Sequence, residues 1–330
     1  AGFNDNGDQW TTTGSVAGKQ ENFSWLLAGS YLDAGTMEQG NGDTLYGSET
    51  QNTTAMAKLD WQINTYNRLS FNFRSADNDG HPPVVGSADE QLNDANNLID
   101  RESTDEHFSI HYHYNPSSKI INLDSNFYLN DTHIEETNLN DGKDVSDIET
   151  VGFSVTNQAQ LNQLNILTGI DGYEDSLDTA RPDNGNGRPN PPMDAKTTTY
   201  GAFVYGDYPL LSNVVAEAGV RYDSFESEAQ GFDNSDESAV SPSVALRWQT
   251  SEWAAISVRY DEAFRAPDVY ELYMDGTHFS FFPGGPSNVF VPNPELDPET
   301  SKNIEIKGEL SFDNIFGKDK LNVVASVFDN

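Results

Sequence analysis

The 330-residue sequence contains no cysteine, so no disulfide can staple its fold and no thiolate can bind a metal. Basic residues are scarce: 18 Lys and Arg stand against 53 Asp and Glu, for a formal net charge of −35. A surface of that sign repels phosphate backbones, which argues against nucleic acid as a partner. No run of about 18 apolar residues occurs, so a membrane-spanning helix is excluded. That absence does not bear on a transmembrane β-barrel, whose strands need only about ten residues of alternating character. Missing too are the hydrolase elbow, the HExxH helix, the phosphate loop and the CxxC pair, so neither enzyme activity nor a catalytic cofactor is expected. Acidity this strong also suits a disordered chain, but 14 Tyr, 18 Phe and 5 Trp, many at every second residue, argue for a packed fold.

What the chain does contain is alternation. Ala216, Ala218, Val220 and Tyr222 interleave with Glu217, Gly219, Arg221 and Asp223, and Phe108, Ile110, Tyr112 and Tyr114 interleave with His107, Ser109, His111 and His113. The same period runs through Ala55–Ile63 and Ala254–Tyr260. A period of two means strands with one apolar and one polar face, and helical patterning is nearly absent. Roughly fourteen such segments occur: 11–19, 21–32, 54–63, 67–76, 104–115, 119–130, 148–160, 163–175, 195–207, 214–227, 239–249, 253–262, 300–312 and 319–329.

The connections sort by length. Short turns are expected near 20 and at 64–66, 116–118, 161–162, 208–213, 250–252 and 313–318. They alternate without exception with longer segments at 33–53, 77–103, 131–147, 176–194, 228–238 and 263–299. An all-β transmembrane antiparallel barrel produces this pattern, because all its outer loops lie on one side and all its periplasmic turns on the other. Trp61, Tyr66, Tyr112, Tyr114, Tyr208, Trp248 and Trp253 near the short turns fit an aromatic girdle at the lipid interface. The alternative is a secreted adhesive or structural two-sheet β protein, whose hairpins have no reason to sort by length.

The stretch 263–299 carries most of the functional information. A box of Phe264, Arg265, Ala266 and Pro267 and a second of Asn293, Pro294, Glu295 and Leu296 bracket one histidine, His278, set among Tyr273, Phe279, Phe281, Phe282 and Phe290. So many aromatics in an outer loop would form a costly exposed patch without a partner; they either bind ligand or pack the loop against its neighbours. Arg265 can pair with a ligand carboxylate, or with Glu271 or Glu295 to pin the base of the loop. Pro267, Pro292, Pro294 and Pro298 stop strand pairing and set the exit direction of the chain.

The two boxes with a histidine between them resemble the ligand loop of TonB-dependent outer-membrane receptors of the haem and haemoglobin type. The boxes alone also occur in siderophore, vitamin B12 and oligosaccharide receptors of that superfamily, and the histidine is what narrows the ligand. One departure is the Glu at the third position of NPEL, where the haem group more often has Asn or Asp. The resemblance implies a 22-stranded barrel around an N-terminal plug, in the outer membrane of a Gram-negative bacterium. By it, residues 1–330 are a partial barrel, the second to fifteenth strands, with the plug, the TonB box and about seven strands outside the chain. It further implies that 263–299 is the seventh outer loop and the ligand-binding one. Haem would be the transported ligand, with His278 axial to its iron and Tyr273, Phe279, Phe281 and Phe282 around the ring. The implied partners are haem or haemoglobin, the TonB complex acting through the plug, and outer-membrane lipid.

Other residues carry weaker signals. His107, His111 and His113 share the polar, inward face of one strand, where polar side chains are ordinary and a metal or haem-relay role is the alternative; His81 and His133 fall in expected outer loops, as solvated side chains or as ligand contacts. The acid-rich segments 4–8, 77–80 and 233–237 lack the twelve-residue calcium loop with its terminal bidentate glutamate, and read as solvated turns.

Overall fold

The computed structural model describes residues 1–83, 98–138, 142–181, 189–280 and 287–329, the side chains of 138 and 278–280 excepted. In chain order the first strands are β1 (Gly2–Asn4), β2 (Gln9–Gln20), β3 (Phe23–Ala34), β4 (Met37–Glu38), β5 (Thr44–Leu45), β6 (Thr50–Asn64) and β7 (Asn67–Gly80). There follow β8 (Asp100–Tyr114), β9 (Leu123–Asn138), β10 (Gly142–Leu161), β11 (Leu164–Ala180), β12 (Pro189–Asn190), β13 (Ala195–Leu211) and β14 (Val214–Glu228). The chain continues with β15 (Ser235–Ser251), β16 (Ala254–Arg265), helix α1 (Val269–Tyr273), β17 (Asp275–Ser280), β18 (Ser287–Phe290), β19 (Glu299–Asp313) and β20 (Lys320–Asp329).

Fifteen of these strands form one antiparallel meander in the order β1-β2-β3-β6-β7-β8-β9-β10-β11-β13-β14-β15-β16-β19-β20. The register explains the period-two sequence. Val16, Leu27, Ala57, Phe73, Phe108, Leu129 and Val151 stand opposite one another across seven strands, on one face. Tyr208, Ala216, Leu246, Val258, Ile306 and Val327 continue that face across the second half. Its large apolar side chains, among them Leu27, Phe73, Val258, Ile306 and Val327, are exposed, an arrangement that suits lipid and no aqueous surface. Trp61, Tyr66, Tyr208, Trp248 and Trp253 are exposed near the short turns as expected, Trp253 stacking on Phe312 at 5.5 Å. Residues of opposite parity, such as Asp60, His111, Asp124, Asp171 and Arg221, make the other face polar.

Three expectations are corrected. The meander has a fifteenth member, the three-residue β1, too short to leave a periodic signal. The strands also run further toward the long connections: β9 and β10 stay paired up to Asn138↔Gly142, so most of 131–147 is ladder and only 139–141 lies between the two strands. In these extensions polar and charged residues predominate, with only scattered apolar ones such as Ile134, Val145 and Leu177. Cross-strand ion pairs, Lys143 with Glu135 (2.5 Å) and Arg101 with Glu136, replace apolar contact, so the end of apolar alternation marks the end of the lipid band and not of the strand. Finally, connection lengths do not alternate without exception, since 115–122 on the short-turn side is longer than 139–141 opposite. The alternation of sides is unaffected.

The extensions are rich in acid: Glu102, Glu135, Asp144, Asp147, Asp178, Glu228 and Asp236 all lie there. On the same side, β12, β17 and β18 form a separate three-stranded sheet and β4 and β5 a small hairpin.

Candidate functional site

The connection between β16 and β19 opens with the first box. β16 ends at Arg265, directly before Ala266 and Pro267, because the proline offers no N–H to a ladder. Asp268 then caps α1: its carboxylate accepts from Tyr270 N and Glu271 N, both at 2.9 Å, while the Glu271 carboxylate accepts from Asp268 N at 3.0 Å. This capping box sets where the chain turns. The helix then buries Leu272 and Tyr273, each 1% exposed, against Leu177 of β11, Ala195 of β13 and Ala229. Removing a leucine of that size from water contributes about 2 kcal/mol. A chain leaving β16 that packs on β11 and β13 shows that the sheet curls round its polar face and that the loop folds back over it.

Arg265 ties both ends of the loop together. Its guanidinium donates to both oxygens of Glu271 (2.8 and 2.9 Å) and through Nε to Glu299 at the start of β19 (3.0 Å). The guanidinium and the Asp268 N–H bring the Glu271 carboxyl down to about 2, and Arg265 also lowers that of Glu299. The expected alternative partner Glu295 is not used; its N–H instead donates to the Asn293 side chain at 3.2 Å. Asn293 N donates to Leu272 O (2.8 Å), so the second box closes on the helix that follows the first. Phe264 packs on Phe225 of β14 with ring centroids 5.2 Å apart, and Leu296 N donates to Asn293 O at 3.2 Å within the Asn293–Leu296 turn.

Tyr273 is corrected from ligand contact to anchor. Its hydroxyl donates to Ser227 O on β14 (2.7 Å) and its ring lies 5.6 Å from that of Phe232, so no ring surface is left for a ligand. His278 and Phe279 lie on β17, in a ladder where Thr277 pairs with Val289 and Phe279 with Asn288, so His278 occupies the extra position of a β-bulge. Bulges of this kind re-aim a side chain beside functional sites. Phe281 and Phe282 lie outside the described residues.

Beneath the first box is a cavity of about 400 Å³ on the polar face, between the loop and the upper ends of β10–β14. Thr150, Tyr173, Asp175 and Phe225 form its wall, and Pro267 and Tyr270 its roof. Below it, Arg221 of β14 reaches across β13 to both oxygens of Asp171 on β11 (2.8 Å each) and also binds Asp223 (2.8 Å). None of these wall residues carries a motif. Period two places Tyr173, Asp175 and Arg221 on the polar face, but only the curl of the sheet puts them under a loop from β16.

The expected loop histidines are both engaged: His81 lies 3.0 Å from Asp100, and His133 on β9 lies 2.6 Å from Asp147. His111 and His113 meet at one carboxylate, Asp124, at 3.0 and 3.1 Å.

A profile described as TonB dependent receptor-like, beta-barrel, matches residues 2–330. The chain belongs to that family of TonB-dependent receptor barrels. Among similar curated proteins, the heme/hemopexin utilization protein C of Haemophilus influenzae is 27% identical over 339 residues, covering 89% of this chain and 47% of that protein. The hemin receptor of Yersinia pestis is 25% identical over 322 residues, covering 96% of this chain and 47% of that protein. The chain thus spans about half the length of the curated relatives it matches. Of solved structures, the Serratia marcescens hemophore receptor HasR, in complex with its hemophore HasA and heme, superposes with a TM-score of 0.80 at 17% identity, over 99% of this chain and 53% of HasR. The FrpB iron transporter of Neisseria meningitidis gives a TM-score of 0.76 at 17% identity, over 98% of this chain and 52% of FrpB.

Proposed function

We propose that this chain is barrel wall and capture loop of an outer-membrane receptor that imports haem, free or taken from a haemoprotein such as haemoglobin. What carries the reading is His278 at a β-bulge between two boxes that clamp the loop base, in a chain whose relatives are named for haem and hemin. Ferric haem requires an imidazole nitrogen for its iron and apolar surface for its macrocycle. His278 supplies the first, and Phe279, Phe281 and Phe282 the second; residues 263–299 act as the ligand-binding outer loop. Arg265, Glu271, Asn293 and Tyr273 hold that loop in place without touching ligand. The long-connection end faces outward and the apolar band faces outer-membrane lipid. The TonB complex, acting through a plug inside the barrel, drives release and passage. Haem is cargo and leaves unchanged, so no catalytic step is assigned.

The test is His278→Ala in the intact receptor. It should abolish or sharply reduce growth on haem or haemoglobin as sole iron source and shift the Soret band of bound haem, at normal surface expression. Tyr at this position should restore part of the activity, because phenolate also ligates ferric haem. His133→Ala should have little effect, since His133 is held by Asp147 within the β9–β10 ladder. Wild-type haem uptake by His278→Ala would leave the receptor barrel standing and pass the cargo to a siderophore, vitamin B12 or an oligosaccharide.

A further inference from the structure

The haem reading leaves unexplained how cargo crosses the barrel once it leaves the loop, and the polar face of β8 bears on that step. Three of the six histidines of the whole chain, His107, His111 and His113, lie on this face of this one strand. β8 descends from the long-connection end, so the series runs toward the short turns, from His107 to His113 about 20 Å along the strand. In the pairing register His107 lies on a row that ends at the cavity under the loop. It stands opposite Asn130, which stands opposite Thr150, which stands opposite Asp175, and the last two are cavity wall. Three strand spacings, about 14 Å, separate β8 from β11.

Two of the three imidazoles are oriented as iron ligands are. His107 Nδ1 lies 2.5 Å from the Asn130 side-chain oxygen, and His113 Nδ1 lies 3.1 Å from Asp124. A ring whose Nδ1–H donates to such an oxygen keeps its lone pair on Nε2, the second-shell arrangement typical of metal-binding histidines. Neither Nε2 has a hydrogen-bond partner among the described residues. His111 is held to the same Asp124 through Nε2, 3.0 Å away. Among the described residues, no group of three or more His, Asp or Glu is arranged to hold a metal ion. These imidazoles therefore suit a metal that arrives with most of its coordination already filled and accepts one axial nitrogen.

Arg74 adds the second half of a recognition pattern. It faces His107 directly across the β7–β8 ladder, is exposed, and forms no ion pair among the described residues. In a chain with 53 carboxylates, an arginine without one is available to a carboxylate brought by a ligand. We infer that the inner wall of β8 is a transit track for an iron porphyrin: His107 takes the iron and Arg74 a propionate as cargo leaves the loop, and His113, with His111 beside it, receives the iron lower down. This rests on the haem reading and deepens it.

The experiment separates capture from passage in cells carrying the intact receptor. Binding of haem to cells without a proton-motive force reports the outer loop, and haem uptake by energised cells reports the track. His107→Ala/His113→Ala should leave surface binding within about two-fold of the unaltered receptor and cut uptake about ten-fold, the scale of a lost metal contact. The double Met variant should recover a substantial part of that uptake, because a thioether ligates haem iron. The double Asn variant, which keeps a polar side chain at both positions and so controls for disturbance of the ladder by Ala, should not. Arg74→Gln should slow uptake of haem but not of haem dimethyl ester, which has no propionate charge. Uptake at the unaltered rate in the double Ala variant, or Asn recovering as well as Met, would overturn the track. An unaltered receptor that binds no haem at the surface would overturn the haem reading, and the track with it.

Discussion

At the scale of single residues, the polar face depends on what is small as much as on what is charged. Arg221 reaches Asp171 by lying across β13 at Gly201, and a Cβ at Gly201 would collide with the guanidinium. The ring of Phe203 lies 5.9 Å from the guanidinium carbon, so the cation rests on an aromatic face while two carboxylates hold its edge. Gly201→Val should therefore break the contact with Asp171 and destabilise the folded barrel by about 1–3 kcal/mol. Thermal unfolding of the heat-modifiable species on gels measures this, and an unchanged midpoint would refute it. Period two assigns Asp171, Gly201, Arg221 and Asp223 to one face, but only the β11–β13–β14 register makes them neighbours. Tyr273 was illegible for the opposite reason. It stands in an aromatic-rich segment like any ligand contact, and its burial under the helix comes from Ser227 and Phe232, residues more than forty positions upstream.

At the scale of elements, the strands of the lipid band were readable because lipid imposes a pattern on every one of them. Sidedness was readable for the same reason, since a meander must place successive connections at opposite ends. What escaped was everything above the band. There β9–β10 continues as a mostly polar ladder, β11–β13 ends in the Leu177–Ala195 pair under the loop, and α1, at five residues, is set by its Asp268 cap and not by periodicity. Sidedness can be tested cleanly because the chain has no native cysteine. Gln230 and Asn213 are exposed in connections at opposite ends of β14. A membrane-impermeant maleimide should label Gln230→Cys on intact cells and Asn213→Cys only after permeabilisation. Labelling of both on intact cells would be incompatible with a transmembrane sheet.

At the scale of the whole molecule, the family, the box–histidine–box loop and the histidine face of β8 were legible, whereas the cavity floor required the curl of the sheet. The acid-rich rim formed by the upper strands has a consequence of its own. Carboxylates fixed at this density around the outer end of the sheet act as a Donnan layer: cations and protons accumulate there and small anions are depleted. On the haem reading proposed above, free haem, with two propionates, would enter against that field. Between about 0.01 M and about 0.15 M salt the Debye length falls from about 30 Å to about 8 Å, short enough to hide the rim from an approaching anion. Association of free haem should then accelerate several-fold as salt is raised, the reverse of electrostatic steering between opposite charges. Stopped-flow measurement at several ionic strengths checks this, and a rate that falls with salt would count against it. Haem delivered on a carrier protein would bypass the barrier, its charge masked until contact, so on that reading the rim would act as a kinetic filter favouring carried over free ligand.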